Sequence, residues 1–231
     1  IYNYQNLRKE LISLGYIFNT SSDTEVLLNS FINWKLDLFQ KIEGMFASII
    51  YDIKNNNFFI FRDRLGKKPL YYFKHNKKFI FSSEVSSLLK IKKFNFTIDN
   101  EAYWNYLTYR YIPKNNTSVN EIKKVPPASY LELKKDDVKI TKYWEFPKEI
   151  DNKDLQINKK NSVKTFGSLF SSAVKKRLVS DVPIGVVLSG GLDSSAILYE
   201  SSKHMNIDSY HVFFKTTDIN YNELEYAKKI A

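Results

Sequence analysis

Residues 189–195 combine residue types that suit phosphate binding. The stretch reads Ser-Gly-Gly-Leu-Asp-Ser-Ser and offers two glycines and three hydroxyl groups. Glycines let backbone N–H groups approach an anion closely, where a Cβ would clash. Asp193 is the exception, because a carboxylate repels phosphate unless a divalent cation joins the two. The pattern therefore predicts a phosphate site in which Asp193 binds a metal ion.

The flanking residues predict the elements that position this loop. Residues 183–188, Pro-Ile-Gly-Val-Val-Leu, form an apolar run typical of a fully buried parallel strand. A helix is expected to begin at Ala196, and a helix N-terminus after a glycine turn directs N–H groups at an anion. A second buried strand over residues 209–214 completes a β-α-β unit. The structural alternative is a tight strand-to-helix turn with a serine cap.

The spacing of the loop separates it from the common nucleotide-binding pattern. No lysine follows the glycines, as it does in G-x-x-x-x-G-K-[ST]. The order S-G-G-x-D-S-S instead resembles the pyrophosphate loop of amide-forming enzymes that cleave ATP between its α and β phosphates. That resemblance implies ATP as the nucleotide and Mg²⁺ as the metal.

The N-terminal half predicts helices followed by antiparallel strands. Helices are expected over residues 4–14 and from Ser22, where Glu25 completes a capping box. Asp23, taken alone, is a first-turn acid near the helix dipole. Short strands are predicted at residues 16–18, at four places between residues 43 and 82, and at residues 130–133. The last is assigned to a sheet edge, since prolines precede it.

Several segments of this half carry a family resemblance. They are Glu-Gly-Met-Phe-Ala, Arg-Asp-Arg-Leu-Gly-Lys-Lys-Pro-Leu-Tyr-Tyr and Phe-Ser-Ser-Glu, preceded by Ile1-Tyr2-Asn3 and Ser-Asp-Thr-Glu. In this order they resemble the glutaminase domain of glutamine-hydrolysing asparagine synthetases. The pyrophosphate-type loop follows downstream, so the resemblance covers essentially the whole chain.

The resemblance implies two domains. Residues 1–146 are expected to form an α+β, Ntn-type glutaminase domain with antiparallel sheets and helices. Residues 162–231 are expected to form an α/β pyrophosphate-loop domain with a parallel sheet. The polar stretch 147–161 is predicted as the linker, and the chain, which begins at Ile1, is expected to be a piece of a longer protein.

Periodicity adds two helices to the C-terminal part. A helix from Ser162 is expected to pack an apolar stripe that includes Val163, Phe166 and Leu169 on the sheet. A final helix over residues 224–231 is expected to be capped by Asn222.

The resemblance also implies residue roles. Asp23 binds the α-ammonium of glutamine, and Asp193 binds pyrophosphate through Mg²⁺. The nucleotide is lined by Leu188 and Val212 and held by Ser189, Gly190, Gly191, Leu192, Asp193, Ser194 and Ser195. The nucleophilic cysteine of the family lies outside this chain, which contains no Cys.

The implied reaction is the ATP-dependent conversion of aspartate to asparagine. Aspartate attacks the α-phosphate, pyrophosphate leaves, and ammonia from glutamine displaces AMP from the β-aspartyl adenylate. Three alternatives stay open: a related amidotransferase acting on a sugar or antibiotic precursor, a tRNA-binding relative, and an inactive fragment.

Composition bears on the partners. The net charge of +10 is carried mostly by scattered lysines, with only five arginines among 35 basic residues, so nucleic acid is not the expected partner. No apolar run approaches the ~20 residues of a membrane helix, and a cytoplasmic location is predicted.

The histidines do not predict a metal site, because His75, His204 and His211 lack metal-binding spacing. Glutamine, aspartate and ATP are the expected partners, and a homodimer is considered.

Overall fold

The computed structural model describes residues 1–76, 78–134, 137–147, 159–213 and 223–231. The chain folds into two compact units, one that includes Asn3–Lys148 and one that includes Glu149–Ala231. Across the described ranges, no helix has both the length and the apolar character needed to cross a bilayer.

The first unit contains several short helices. The helices are α1 (Tyr4–Ser13), α2 (Asp23–Trp34), α3 (Leu38–Lys41), α4 (Val85–Leu89) and α5 (Asn100–Tyr109). Leu7 and Leu11 are buried on one face of α1, at the expected spacing. A 3₁₀ turn separates α2 from α3, because Lys35 adopts a positive φ of 52° and ends the regular helix.

Two antiparallel sheets follow. Their strands are β1 (Ala47–Asp52), β2 (Asn57–Arg62), β3 (Tyr71–His75), β4 (Lys78–Ser82), β5 (Lys123–Lys124), β6 (Ser129–Lys134) and β7 (Asp137–Lys142). One sheet has the order β1-β2-β6-β7, and the other has the order β4-β3-β5. The predicted β1–β2 hairpin is confirmed by the pairing of Ala47 with Arg62 and Asp52 with Asn57.

Alternating residues give the four-stranded sheet two buried faces. Phe61 and Tyr130 pack on one face with Phe39 of α3. Their neighbours Ile60 and Leu131 point the other way and cluster with residues of β3 and β4. The second sheet buries its opposite face against α4. The unit is therefore layered as helices, sheet, sheet and helix.

Two strand predictions in this unit are wrong. Residues 130–133 belong to β6, which lies inside the sheet between β2 and β7 rather than at its edge. The prolines Pro126 and Pro127 precede the strand and remove no ladder donor from it. Residues 16–18 form no strand. Ile17 is 84% exposed, and the Tyr16 N–H donates to the last turn of α1 at Leu11 O.

One buried carboxylate organises the turn that leads from β2 towards β3. Asp63 is 1% exposed, and its two oxygens accept four backbone N–H bonds. The donors are Lys67 and Lys68 (2.9 Å each), Leu65 (3.2 Å) and Phe46 (3.3 Å). Asp63 is part of the Arg-Asp-Arg-Leu-Gly motif of the family resemblance, and its observed role is to fix the backbone of this turn.

The second unit contains a parallel strand pair and helices. Its elements are α6 (Lys159–Arg177), β8 (Gly185–Val187), α7 (Leu192–Ser202), β9 (Asp208–Tyr210) and α8 (Leu224–Ile230). β8 and β9 pair in parallel and are joined through α7, as the β-α-β prediction requires. Val186, Leu188, Leu198 and Ala227 form the core.

The strands of this unit are shorter and less buried than predicted. β8 has three residues, and Val187 within it is 72% exposed, so the run is not a fully buried strand. β9 ends at Tyr210, and Val212 lies beyond it rather than within it. With a two-stranded sheet, side chains on one face have no second layer to pack against.

The helices of the second unit also differ from expectation. α7 begins at Leu192, four residues before the predicted Ala196, and α6 begins at Lys159 rather than Ser162. The α6 stripe of Val163, Phe166 and Leu169 does not pack on the sheet, since each of these side chains is at least 65% exposed. The predicted cap Asn222, Phe214 and most of the predicted linker lie outside the described residues.

Candidate functional site

The loop between β8 and α7 is held by its own serines. Ser194 Oγ accepts from the Ser189 N–H (3.3 Å) and lies 3.0 Å from Ser189 Oγ. The Gly191 N–H donates to Ser189 Oγ at 3.3 Å, and Ser195 Oγ donates to the Gly191 carbonyl at 2.6 Å. The two N–H bonds are long and neutral, so a charged phosphate oxygen is the stronger acceptor and can replace the hydroxyls.

The start of α7 adds further donors. Gly191 precedes the helix, and the first intrahelical bond of α7 joins the Ser195 N–H to Gly191 O at 3.1 Å. The N–H groups of Leu192, Asp193 and Ser194 come before that bond and have no acceptor within the helix. A helix start of this kind, joined to a glycine turn, suits an anion.

Gly190 gives the loop its shape and cannot carry a side chain there. Its φ is +84°, and a Cβ at this position would lie 2.8 Å from Tyr226 Cβ and 3.0 Å from the Ala227 N atom. We expect Gly190→Ala to lower the free energy of unfolding of the second unit by about 1–3 kcal/mol, through backbone strain and the clash with α8. Denaturant unfolding measures this loss.

Gly167 provides the matched control. It lies in α6, and no heavy atom is found within 4 Å of a Cβ built on it. Gly167→Ala should raise stability by up to about 1 kcal/mol, because alanine favours a helix over glycine. Equal effects of the two substitutions would contradict the role assigned to Gly190.

Asp193 has the chemistry that a magnesium ligand needs. It is exposed in the first turn of α7, beside the loop, and no described residue forms a hydrogen bond or ion pair with its carboxylate. Mg²⁺ prefers oxygen ligands and usually combines one or two carboxylates with phosphates and waters. No cluster of three or more metal-ligating side chains occurs among the described residues. The residues present therefore fit a cation shared with a phosphate.

The other predicted nucleotide contacts lie on either side of the loop. Leu188 is 2% exposed and belongs to the core, its N–H donates to Tyr210 O, and its carbonyl is bound by the ring of His211. Val212 is 72% exposed, two residues beyond β9. Leu188 thus supports the loop through its buried side chain and its backbone hydrogen bonds. The side chain of Val212 is exposed and could contact a ligand.

Sequence reasoning missed the part played by His211. The spacing of His211 from the other two histidines excludes a shared metal site, and the sequence predicts no other role for its side chain. His211 lies within the strand predicted over residues 209–214, and the available signal is that neighbouring parallel strands end at the same edge of a sheet, beside the loop.

Asp23 lies in the first unit, at the first residue of α2. Ser22 caps the helix by accepting from the Thr24 N–H at 3.1 Å. The capping box is only half confirmed. Glu25 accepts from the N–H groups of Asn19 (2.8 Å) and Thr20 (2.7 Å) instead of Ser22, and the Asn19 bond is the main cause of its lowered pKa.

The carboxylate of Asp23 forms an ion pair with an ammonium group. The α-ammonium of Ile1 lies 2.7 Å from Asp23 Oδ2, and the Asp23 side chain is 43% exposed. If residues precede Ile1, that nitrogen is a peptide N–H, and the carboxylate can then accept another ammonium. Asp23 therefore has the charge and the access that binding of an amino acid requires.

Two family models match different parts of the chain. Residues 1–144 match the glutamine amidotransferase domain model. The chain belongs to the glutamine amidotransferase family. Residues 165–231, downstream of the amidotransferase domain, match the asparagine synthase model. Asp23 lies in the first of these ranges and the 189–195 loop in the second.

Curated relatives carry the same pair of segments. Asparagine synthetase [glutamine-hydrolyzing] 3 of Bacillus subtilis (strain 168) is 39% identical over 88% of this chain and 33% of its own length. Asparagine synthetase [glutamine-hydrolyzing] 1 of the same organism is 35% identical over 100% of this chain and 36% of its own. The resemblance to glutamine-hydrolysing asparagine synthetases is confirmed, and the chain spans about a third of the length of these relatives.

Among solved structures, glutamine phosphoribosylpyrophosphate amidotransferase from B. subtilis has a TM-score of 0.44 and 15% sequence identity. The match covers 96% of this chain and 46% of that one.

Proposed function

We propose that the protein containing this chain makes asparagine from aspartate, with ATP and with ammonia released from glutamine. The observation that carries the proposal is the β8–loop–α7 arrangement, with Gly190 in a left-handed conformation and Asp193 beside the loop. It follows an amidotransferase domain in the same chain. The relatives' names favour aspartate over the other acceptors considered from the sequence.

In the proposed reaction, the loop binds the β and γ phosphates of ATP. The aspartate side chain attacks the α-phosphorus, the bond to the β-phosphate breaks, and pyrophosphate leaves as the β-aspartyl adenylate forms. Negative charge grows on the leaving group, and the N–H groups of Ser189, Gly191 and the first turn of α7 stabilise it. Ammonia then attacks the acyl carbon, and AMP leaves.

Asp193 is the proposed metal-binding residue of this step. Asp193 would hold a Mg²⁺ ion, which would supply positive charge to offset that of the leaving pyrophosphate. Exposure of the carboxylate and its freedom from described partners support this assignment.

The finer features of the architecture belong to the same proposal. The helix–sheet–sheet–helix layering of the first unit supports an Ntn-type glutaminase domain, and the parallel β8–β9 pair supports an α/β pyrophosphate-loop domain. The division near residue 148 and the family ranges support domains at residues 1–146 and 162–231, with a linker at 147–161. A homodimer and a cytoplasmic location stay predictions.

The direct test is product analysis with the full-length protein. Glutamine, aspartate and ATP should give asparagine, AMP and pyrophosphate in equal amounts. If AMP and pyrophosphate formed with another carboxylic acid but not with aspartate, the acceptor substrate would be that acid and not aspartate.

Asp23→Asn tests the glutamine site separately. Loss of the carboxylate charge should raise the KM for glutamine about tenfold, because one charge-assisted hydrogen bond to the α-ammonium is weakened. Synthesis from free ammonium chloride should not change, since ammonia bypasses the glutamine site. Asp37→Asn is the matched control, an exposed acid in the 3₁₀ turn after α2. An unchanged KM for glutamine in Asp23→Asn would refute the assignment.

A further inference from the structure

His211 and Leu188 make a side-chain contact at the carboxyl ends of β8 and β9. Nδ1 of His211 lies 2.6 Å from the Leu188 carbonyl oxygen. A carbonyl oxygen can only accept, so Nδ1 carries the proton and donates it. The Leu188 N–H donates to Tyr210 O at 2.8 Å. Both backbone polar groups of Leu188 are thus bound by two consecutive residues.

This contact takes the place of a ladder bond. The register pairs Val187 with Tyr210, which sets Leu188 opposite His211. In a continuing parallel ladder, the Leu188 carbonyl would accept from the N–H of the residue after His211. The imidazole occupies that acceptor instead. The strand pairing stops here, and the carbonyl immediately before Ser189 is held by a rigid ring.

The other ring nitrogen favours the same tautomer. Nε2 of His211 is enclosed by protein and has no hydrogen-bond partner among the described residues. An N–H at this position would be a buried donor without an acceptor, which costs more than an unused lone pair. The proton therefore stays on Nδ1, which donates it to the Leu188 carbonyl oxygen.

We propose that His211 is a positioning residue for the phosphate loop. Its ring holds the Leu188 carbonyl and so fixes the peptide plane that carries the Ser189 N–H, the first donor of the loop. The inference rests on the proposed function of the loop as a pyrophosphate site. His211 does not touch the reacting atoms, and it acts through the backbone.

The test compares two substitutions in the full-length protein. His211→Asn keeps a donor, because the asparagine Nδ2 lies where Nδ1 lies in histidine, whereas His211→Leu removes it. In the exchange of labelled pyrophosphate into ATP, His211→Leu should raise the KM for ATP about fivefold, the value of one such hydrogen bond, with a smaller change in kcat. His211→Asn should stay within about twofold of the wild type.

Two controls separate positioning from general damage. His204→Leu removes a histidine that lies just beyond the end of α7, and it should leave the KM for ATP unchanged. Glutamine hydrolysis should be the same in all variants. A KM for ATP in His211→Leu equal to the wild type, or an equal rise in His211→Asn, would overturn the proposal.

A second readout does not depend on the reaction. Nitrogen-15 NMR of the imidazole should show the proton of His211 on Nδ1, and calorimetry with magnesium pyrophosphate should show weaker binding by His211→Leu than by His211→Asn. If the wild type exchanges no pyrophosphate, the proposed function fails, and these two measurements still decide the role of His211. A proton on Nε2, or equal pyrophosphate affinity in both variants, would overturn it.

Discussion

Asp193→Ala is expected to lower the rate of the aspartate-dependent exchange of pyrophosphate into ATP by about a hundredfold or more. The rate of glutamine hydrolysis should not change. The carboxylate is the proposed protein ligand of the cation that would offset charge on the departing pyrophosphate. Removing one such charge-stabilising group lowers a reaction rate by about a hundredfold or more. Glutamine is assigned to Asp23, which lies in the other compact unit. Both rates are measurable with one preparation.

Asp208→Ala is the matched control for this result. Asp208 is an exposed acid in the same unit, but it begins β9, at the end of the strand remote from the loop. Its removal should leave both rates close to the wild type. If Asp193→Ala lost both activities equally, the assignment of separate sites would be contradicted.

Asp63→Ala should be the most destabilising substitution in the first unit, at about 3–5 kcal/mol of unfolding free energy. The substitution removes a buried acceptor and leaves the N–H groups of Phe46, Leu65, Lys67 and Lys68 without it, in a turn that is only partly buried. A buried donor without an acceptor costs more free energy than a single hydrogen bond contributes to folding. Hydrogen bonds in one network also contribute more together than single deletions suggest. Denaturant unfolding followed by tryptophan fluorescence measures the change.

Asp52→Ala supplies the comparison. Asp52 lies at the end of β1 and accepts from the N–H and side-chain amide of Asn55 in the hairpin turn. Its loss should change the free energy of unfolding far less than the loss of Asp63. Comparable effects would mean that Asp63 does not organise its turn.

Local sequence patterns predicted much of the first unit because they act over short distances. Ser22 caps α2 as its position before the helix indicated. The β1–β2 hairpin follows from an asparagine-rich turn in which Asn56 adopts a positive φ. These features depend on a few neighbouring residues, so no knowledge of the tertiary structure is needed to predict them.

Strand position in a sheet could not be predicted in the same way. The prolines before β6 suggested an edge strand, but its place between β2 and β7 depends on pairing with residues of β2 that lie far away in the chain. β7 was not predicted, because its alternation of polar and apolar residues is carried by Val138 and Ile140 alone. Such pairings are properties of the assembled sheet.

The candidate sites show the same division. The spacing of glycines, serines and Asp193 predicted the loop, since backbone geometry and chemistry are encoded within seven residues. The role of His211 depends on the register of β8 with β9, which the sequence does not state. Val212 is predicted to lie in a strand, but β9 ends two residues earlier, where the ring of His211 binds the Leu188 carbonyl that would continue the ladder.

The fate of the phosphates tests the central claim most directly. ATP labelled with phosphorus-32 at the γ position should be incubated with the full-length protein, magnesium, glutamine and aspartate, and the labelled product identified. If residues 189–195 hold the pyrophosphate, the label appears as pyrophosphate together with AMP, and only when aspartate is present. Release of the label as orthophosphate with ADP would contradict the account.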